Sequence, residues 1–199
     1  MVGSEGASVE PLQQWAIACG NWAGPAAPSG RLAVLACTAA AGVALFERAL
    51  CSPAHGALRT RQEENRALLG AIRQRLSSLA LQAQKHGNTS SQGVKVDVSS
   101  YRDVRRLLDL CIQAMTVGPE VWENSDSAAW ADVEVGWRLQ ASVMEAALAL
   151  AQRALAALPQ SFQQSEQATL TVQGRQARDL HRLAAGEMSW RGEGSRVDK

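Results

Sequence analysis

The loop before the most apolar part of the sequence contains the residue types of an anion-binding site. Its sequence, GPAAPSGR, runs from Gly24 to Arg31 and leads directly into a predicted helix. The first turn of a helix carries free N–H groups and the positive end of the helix dipole, and both attract anions. Ser29 and Gly30 precede Arg31, a cation that could hold a carboxylate. The spacing is not that of a P-loop, and a glycine- and proline-rich turn without a ligand is the alternative interpretation.

Two further residues belong to the candidate site. Asp126 lies at the predicted start of the most strongly patterned helix, where a carboxylate serves either acid–base chemistry or the helix dipole. Trp22 lies in a stretch rich in glycine and proline, where an indole can line a pocket for a flat ligand. The histidines His55, His86 and His181 lack the helical spacing of metal ligands, so the sequence predicts no metal site.

Hydrophobic periodicity predicts the helices that must position these residues. Apolar side chains recur every three or four residues in most of the chain, and strands do not alternate with helices. The predicted long helices cover residues 30–51, 57–86, 100–118, 125–158 and 161–185. The third helix is expected to begin at an S-x-x-D capping box at Ser100 and to end at Gly118-Pro119. The pattern therefore predicts an all-α fold, a bundle of four to five long helices with no sheet.

We predict a single helical-bundle domain over residues 9–185. A mobile tail, residues 1–8, precedes it, and a flexible C-terminal tail, residues 186–199, follows it. The domain begins with a short, weakly patterned helix from Val9 to Ala18. Its apolar positions are Leu12, Trp15 and Ile17.

Composition narrows the classes of partner. Lys and Arg number 20 against 19 Asp and Glu, so the net charge of +1 gives no electrostatic reason to expect nucleic acid. The most apolar stretch, Leu32 to Phe46, would rise only about 22 Å as a helix, against the roughly 30 Å of a hydrocarbon core. We therefore predict a buried core helix and no membrane partner. The acidic, polar start lacks the features of a secretory signal, which favours a cytoplasmic location.

Two smaller expectations follow from the apolar residues. The four cysteines have no C-x-x-C pair and are interpreted as small buried side chains of a reduced protein. The fourth long helix carries two apolar stripes, more than one core needs, and this surplus predicts a homodimer.

The order of these elements resembles that of the cyclodeaminase/cyclohydrolase family, over roughly Val9 to Leu158. The family's S-D-A-x-x-A-A motif looks like the segment from Ser125 to Ala129, which contains Asp126. The place of the family's T-P-G-G-G-S-V-A-A loop falls within the segment from Pro11 to Val34. Here the triple glycine is replaced by Ser29-Gly30-Arg31, and Met144 to Leu148 stand where the family carries two asparagines.

The resemblance implies a domain that acts on, or binds, a folate one-carbon derivative. Hydrolysis or deamination of such a substrate would use Asp126 as an acid–base or orienting group. The loop with Trp22, Ser29, Gly30 and Arg31 would face the pterin or its acidic tail. A tetrahydrofolate derivative would be substrate or ligand, and no metal would be needed. Because family polar residues are replaced, the alternative is a catalytically inactive helical bundle that binds a ligand or a protein.

Overall fold

Five helices form the part of the chain that the structure describes. The structure is a computed structural model, and it describes residues 28–51, 57–89 and 97–194. The helices are α1 (Pro28–Ala49), α2 (Ala57–Thr89), α3 (Val98–Asn124), α4 (Trp130–Ala156) and α5 (Gln160–Gly194). No strand occurs in these ranges. The predicted all-α bundle of four to five long helices is confirmed.

The helices pack around one apolar core. α1 lies against α2 and α4, α3 lies against α2 and α4, and α5 lies along α3 and α4. The largest side chains of the core come from four helices and are fully buried. They include Phe46, Ile72, Leu108, Trp137 and Met144. Burial of each such side chain stabilises the fold by roughly 1.5–3 kcal/mol, which explains why amphipathic segments of this length assemble.

Contacts between α1 and α4 fix the register of the bundle. Arg48 Nε lies 2.8 Å from Asp132 Oδ2. The fully buried Gln140 donates from Nε2 to the backbone oxygen of Ala39 at 2.6 Å. Since residue numbers fall along α1 as they rise along α4, the two helices are antiparallel. Arg31, at the start of α1, therefore lies at the end of the bundle opposite to Asp132.

α3 continues past Gly118 and Pro119, so the end predicted there is wrong. A proline inside a helix removes one hydrogen bond and costs about 3 kcal/mol. Beyond it, the buried indole of Trp122 stacks on Trp130 and on Trp137, with ring centroids 5.7 Å and 5.5 Å apart. Stacked, buried indoles contribute several kcal/mol of burial and ring-pair energy, which offsets the cost of the proline.

The start of α3 also differs from the prediction. Asp97, not Ser100, is the N-cap, and its carboxylate accepts the backbone N–H of Ser100 at 2.8 Å. The hydroxyl of Ser100 donates to the same oxygen at 2.8 Å. The helix therefore begins at Val98, because the aspartate satisfies a free N–H group of the first turn.

At the C-terminal end, the described residues include part of the segment predicted as a tail; at the N-terminal end, they begin at Pro28. α5 extends to Gly194, so the helix continues into the segment that was expected to be a tail from residue 186. The predicted tail 1–8, the short helix Val9–Ala18 and Trp22 lie outside the described residues.

The apolar part of α1 extends beyond the stretch from Leu32 to Phe46 that the sequence analysis considered. Residues Gly30–Ala49 have a mean hydropathy of 1.6, and by length and composition alone this helix is able to cross a membrane. In the most apolar 18-residue stretch of this helix, 44% is buried by the rest of the bundle. Ala36, Ala39 and Val43 are fully buried against the other helices, as expected for a core helix.

The described cysteines do not share one environment. Cys111 is fully buried, as predicted, and burial raises the pKa of its thiol. Cys37 is half-buried and Cys51 is exposed, so burial was wrongly predicted for Cys51. No disulfide joins these three cysteines in the described residues.

Candidate functional site

Asp126 lies in the turn that connects α3 to α4, and it is exposed. Its Oδ1 accepts the backbone N–H of Ala129 at 3.0 Å, just before α4 begins at Trp130. A carboxylate at this place satisfies a backbone donor and complements the helix dipole. The geometry supports the helix-start role that the sequence offered as one of two interpretations.

The structure does not bring Asp126 and Arg31 together within one chain. Arg31 is exposed in the first turn of α1, and Gly30 beside it has open space around its Cα. From Arg31 to Arg48, which pairs with Asp132, α1 rises by about 25 Å, and Asp126 lies at the Asp132 end. One small ligand cannot contact both residues of a single chain. Ser29 is placed by its backbone in the first turn of α1, next to Gly30.

A groove with a volume of about 540 Å³ lies between α4 and α5. Its floor is apolar and consists of Ala141, Met144 and Leu148 of α4 and Ala177 of α5. Pockets for small organic molecules have volumes of roughly 300–1,000 Å³ and mostly apolar walls. The groove therefore has the size and lining of a small-molecule site.

The rim of the groove is charged. α5 contributes Arg178, His181 and Arg182, and α4 contributes Glu145. Arg182 Nη2 lies 2.8 Å from Asp179 Oδ1 on the exposed side of the same helix. Arg178 has no ion pair with any residue in the described ranges. Asp179 therefore offsets the charge of Arg182, and Arg178 is the rim guanidinium whose N–H donors favour an anionic group in a ligand.

Helical spacing places these side chains on one side of each helix. Arg178 and Arg182 are four residues apart on α5, and Glu145 and Leu148 are three apart on α4. Gly174 allows α5 to approach α4, because a Cβ at this position would lie 3.3 Å from the methyl carbons of Leu148. Sequence analysis missed this groove, although the cationic R-x-x-H-R pattern beside an apolar stripe was a usable signal.

A second polar cluster joins α5 to α3. The fully buried Tyr101 donates its hydroxyl proton to Glu166 at 3.2 Å, and Arg105 forms an ion pair with the same carboxylate. Gln173 donates to Asp109. Burial raises the pKa of Tyr101, and so does the negative charge of Glu166. Burial also raises the pKa of Asp109. These hydrogen bonds and the ion pair connect α3 to α5, so the cluster positions α5 and the groove beside it.

No group of three or more His, Cys, Asp or Glu side chains suited to a metal ion occurs in the described residues. Comparison with known proteins found no similar family: no family model matches the chain, and no curated protein or solved structure is significantly similar to it. The cyclodeaminase/cyclohydrolase resemblance, the homodimer and the cytoplasmic location thus stay predictions from the sequence.

Proposed function

We propose that this chain is a helical-bundle binding module whose groove between α4 and α5 takes an organic anion with an apolar body. The observation that carries the proposal is the position of Arg178 and Arg182 above the apolar floor made by Met144 and Leu148. An apolar floor favours a ring or an aliphatic body, since its burial removes apolar surface from water. The guanidinium groups favour a carboxylate or phosphate, which they can bind through paired N–H donors.

Binding is better supported than turnover. Asp126, the predicted catalytic carboxylate, is exposed, accepts a backbone N–H at the start of α4, and is not among the groove residues. Arg31 lies at the start of α1, far from Asp126, and it is not among the groove residues either. The residues that the resemblance implies for catalysis are therefore not assembled around this cavity.

A tetrahydrofolate derivative belongs to the proposed chemical class. It combines a flat ring system, which an apolar floor would accommodate, with a glutamate tail, whose carboxylates would meet the cationic rim. The folate ligand that the family resemblance implies is thus our first choice of probe. The groove, rather than the loop from Gly24 to Arg31, would hold it.

The test is a titration with 5,10-methenyltetrahydrofolate. Tryptophan fluorescence follows binding, and the methenyl absorbance follows turnover. We expect saturable binding without enzyme-dependent loss of the absorbance. In the double variant Arg178→Gln/Arg182→Gln, affinity should fall at least about tenfold, because each charge-assisted hydrogen bond contributes roughly 1.5–3 kcal/mol.

The matched control is Arg66→Gln/Arg75→Gln, which removes two exposed arginines from α2, on a helix that does not line the groove. This control should bind like the parent chain. Loss of the methenyl absorbance that depends on Asp126 would contradict the binding module and support the enzyme. If the probe does not bind, the same variants are titrated with the aromatic anion 8-anilinonaphthalene-1-sulfonate. Equal affinity of all variants for that anion would show that the groove between α4 and α5 is not the anion-binding site.

A further inference from the structure

The groove between α4 and α5 has opposite charges on its two rims. Glu145 belongs to the α4 rim and Arg178 to the α5 rim, and both side chains are exposed. The ion pairs among the described residues use other acids and other cations. In the part of the chain that the structure describes, neither charge is therefore neutralised by a neighbouring side chain.

The packing of α5 on α4 sets these two residues beside the same stretch of the groove. The short connection 157–159 makes α4 and α5 antiparallel. The helices meet where a Cβ on Gly174 would lie 3.3 Å from the methyl carbons of Leu148. From this contact, Arg178 lies four residues further along α5, and Glu145 lies three residues back along α4. Both steps run in the same direction by about one helical turn, so the two charges lie at one level of the groove.

Apolar side chains separate the two charges. Met144 precedes Glu145, Ala177 precedes Arg178, and both of these apolar residues are buried in the floor of the groove. Glu145 and Arg178 do not form an ion pair with each other, although they lie at one level. A ligand that rests on this floor therefore has a carboxylate on one side and a guanidinium on the other.

The other ionisable residues of the groove leave this balance unchanged. Arg182 lies 2.8 Å from Asp179, and the charges of this pair offset each other. His181 also lines the groove, and histidine side chains in general are uncharged at about pH 8. The described residues that line the groove thus present one carboxylate and one guanidinium that are free to bind a ligand.

We propose that the ligand of this groove has two polar ends of opposite character. A cationic or N–H-donating group at one end is held by Glu145, and a carboxylate or phosphate at the other end is held by Arg178. An apolar ring between the two ends lies on the floor. This inference rests on the proposed function and narrows its class of ligand.

Charge selects this class over a ligand with two anionic ends. Such a ligand would place one anion beside Glu145, and like charges in a binding site disfavour the wrong partner. A ligand with one end of each kind forms charge-assisted hydrogen bonds with both rims. Its ring is removed from water by the floor between them.

Two probes that differ by one amino group test the proposal. 4-(Aminomethyl)benzoate carries an ammonium and a carboxylate at opposite ends of a ring, whereas 4-methylbenzoate lacks the ammonium. An NMR titration at about pH 8 follows the ring protons of each probe and gives its dissociation constant. We expect the parent chain to bind 4-(aminomethyl)benzoate at least about threefold more tightly, because an exposed ion pair makes a modest contribution.

Variants assign this preference to one side chain. Glu145→Gln keeps the size of the side chain and removes its charge, so the preference for the amine should disappear. Glu145→Lys should reverse the preference. Glu64→Gln makes the same change at an exposed glutamate of α2, which does not line the groove, and should leave the preference intact. Arg178→Gln should weaken both probes by a similar factor, because both carry the carboxylate.

The titrations separate a failure of this inference from a failure of the proposed function. Equal affinity of the parent chain for the two probes overturns the inference, and so does a preference that persists in Glu145→Gln. The anion site in the groove still stands in these cases if Arg178→Gln weakens both probes. If neither probe binds the parent chain, or if Arg178→Gln changes neither affinity, the groove is not the anion site and the inference is overturned with it.

Discussion

Gly42 of α1 and Gly136 of α4 face each other so closely that a Cβ on Gly136 would lie 3.0 Å from the backbone oxygen of Gly42. The same added atom would lie 2.8 Å from Cε1 of the buried Phe46. Glycine at both positions lets the backbones approach and lets Gln140 reach the Ala39 oxygen. The close packing of α1 against α4 therefore requires that Gly42 and Gly136 have no side chain.

Replacement of Gly136 by alanine should destabilise the protein. The added methyl group must displace the ring of Phe46 or separate the two helices, and overpacking of this kind costs about 1–3 kcal/mol. Alanine gains up to about 1 kcal/mol in helix propensity, which offsets only part of that cost. We expect urea denaturation to give a lower free energy of unfolding for Gly136→Ala than for the parent chain.

Gly70→Ala is the matched control for this measurement. A Cβ at Gly70 would lie 3.8 Å from Glu47 Oε1, an ordinary contact distance. This variant should be stabilised by up to about 1 kcal/mol through helix propensity. Equal shifts in the same direction for both variants would show that backbone propensity, and not the contact with Phe46, governs the effect.

Periodicity in the sequence predicted most of the fold, and its failures have local causes. The helices around Phe46, Leu76 and Trp137 follow from apolar side chains that repeat every three or four residues. The end predicted at Pro119 failed because the stacking of Trp122 depends on α4, which is brought there only by the fold. The energetic cost of a proline inside a helix can be recognised from the local sequence. The stacking that offsets this cost involves residues that are distant in the chain.

The candidate site was less predictable than the fold for a related reason. Sequence order puts Arg31 and Asp126 each next to a helix start, but only the antiparallel register of α1 and α4 sets them at opposite ends. The groove depends on the register of α4 against α5, where Gly174 meets Leu148. The sequence of each helix reveals its own apolar stripe. It does not reveal which polar residues of two neighbouring helices will lie together at the edge of a groove.

Removal of the Asp97 cap should destabilise the protein in a pH-dependent manner. Hydrogen bonds from the backbone N–H and the hydroxyl of Ser100 lower the pKa of Asp97 below its usual value. A carboxylate with a lowered folded-state pKa stabilises the fold above its unfolded-state pKa, and this contribution is lost as the pH falls through the folded-state pKa. Asp97→Ala should therefore cost about 1 kcal/mol at about pH 7 and progressively less in acid.

Urea denaturation across the acid range measures this effect. Glu63→Ala serves as the control, because Glu63 forms an exposed ion pair with Arg59 at 2.9 Å within α2. Exposed pairs at this spacing contribute only about 0.3–0.5 kcal/mol, so the control should change little at any pH. A constant loss for Asp97→Ala from neutral to acid pH would show that the carboxylate charge is not responsible.

Asp109 should show the opposite pH dependence. Burial between α3 and α5 raises its pKa, while the positive charge of Arg105 and the hydrogen bond from Gln173 oppose the rise. For an acid with a raised folded-state pKa, the folded state binds the proton more tightly than the unfolded state. The stabilisation is full below the unfolded-state pKa and is lost as the pH rises through the folded-state pKa. At neutral pH the ionised carboxylate thus lowers stability.

Asp109→Asn should consequently raise the free energy of unfolding at about pH 7 by up to about 1 kcal/mol. The asparagine oxygen can still accept the proton that Gln173 donates to Asp109 in the parent chain. The gain should shrink as the pH falls, because the protonated aspartic acid and asparagine are both neutral. Asp109→Ala is the control: it removes the acceptor as well as the charge, so Gln173 loses its partner and the gain should not appear. If thermal and urea denaturation instead find Asp109→Asn as unstable as Asp109→Ala at neutral pH, the ionised carboxylate stabilises the interface through Arg105 more than its burial costs.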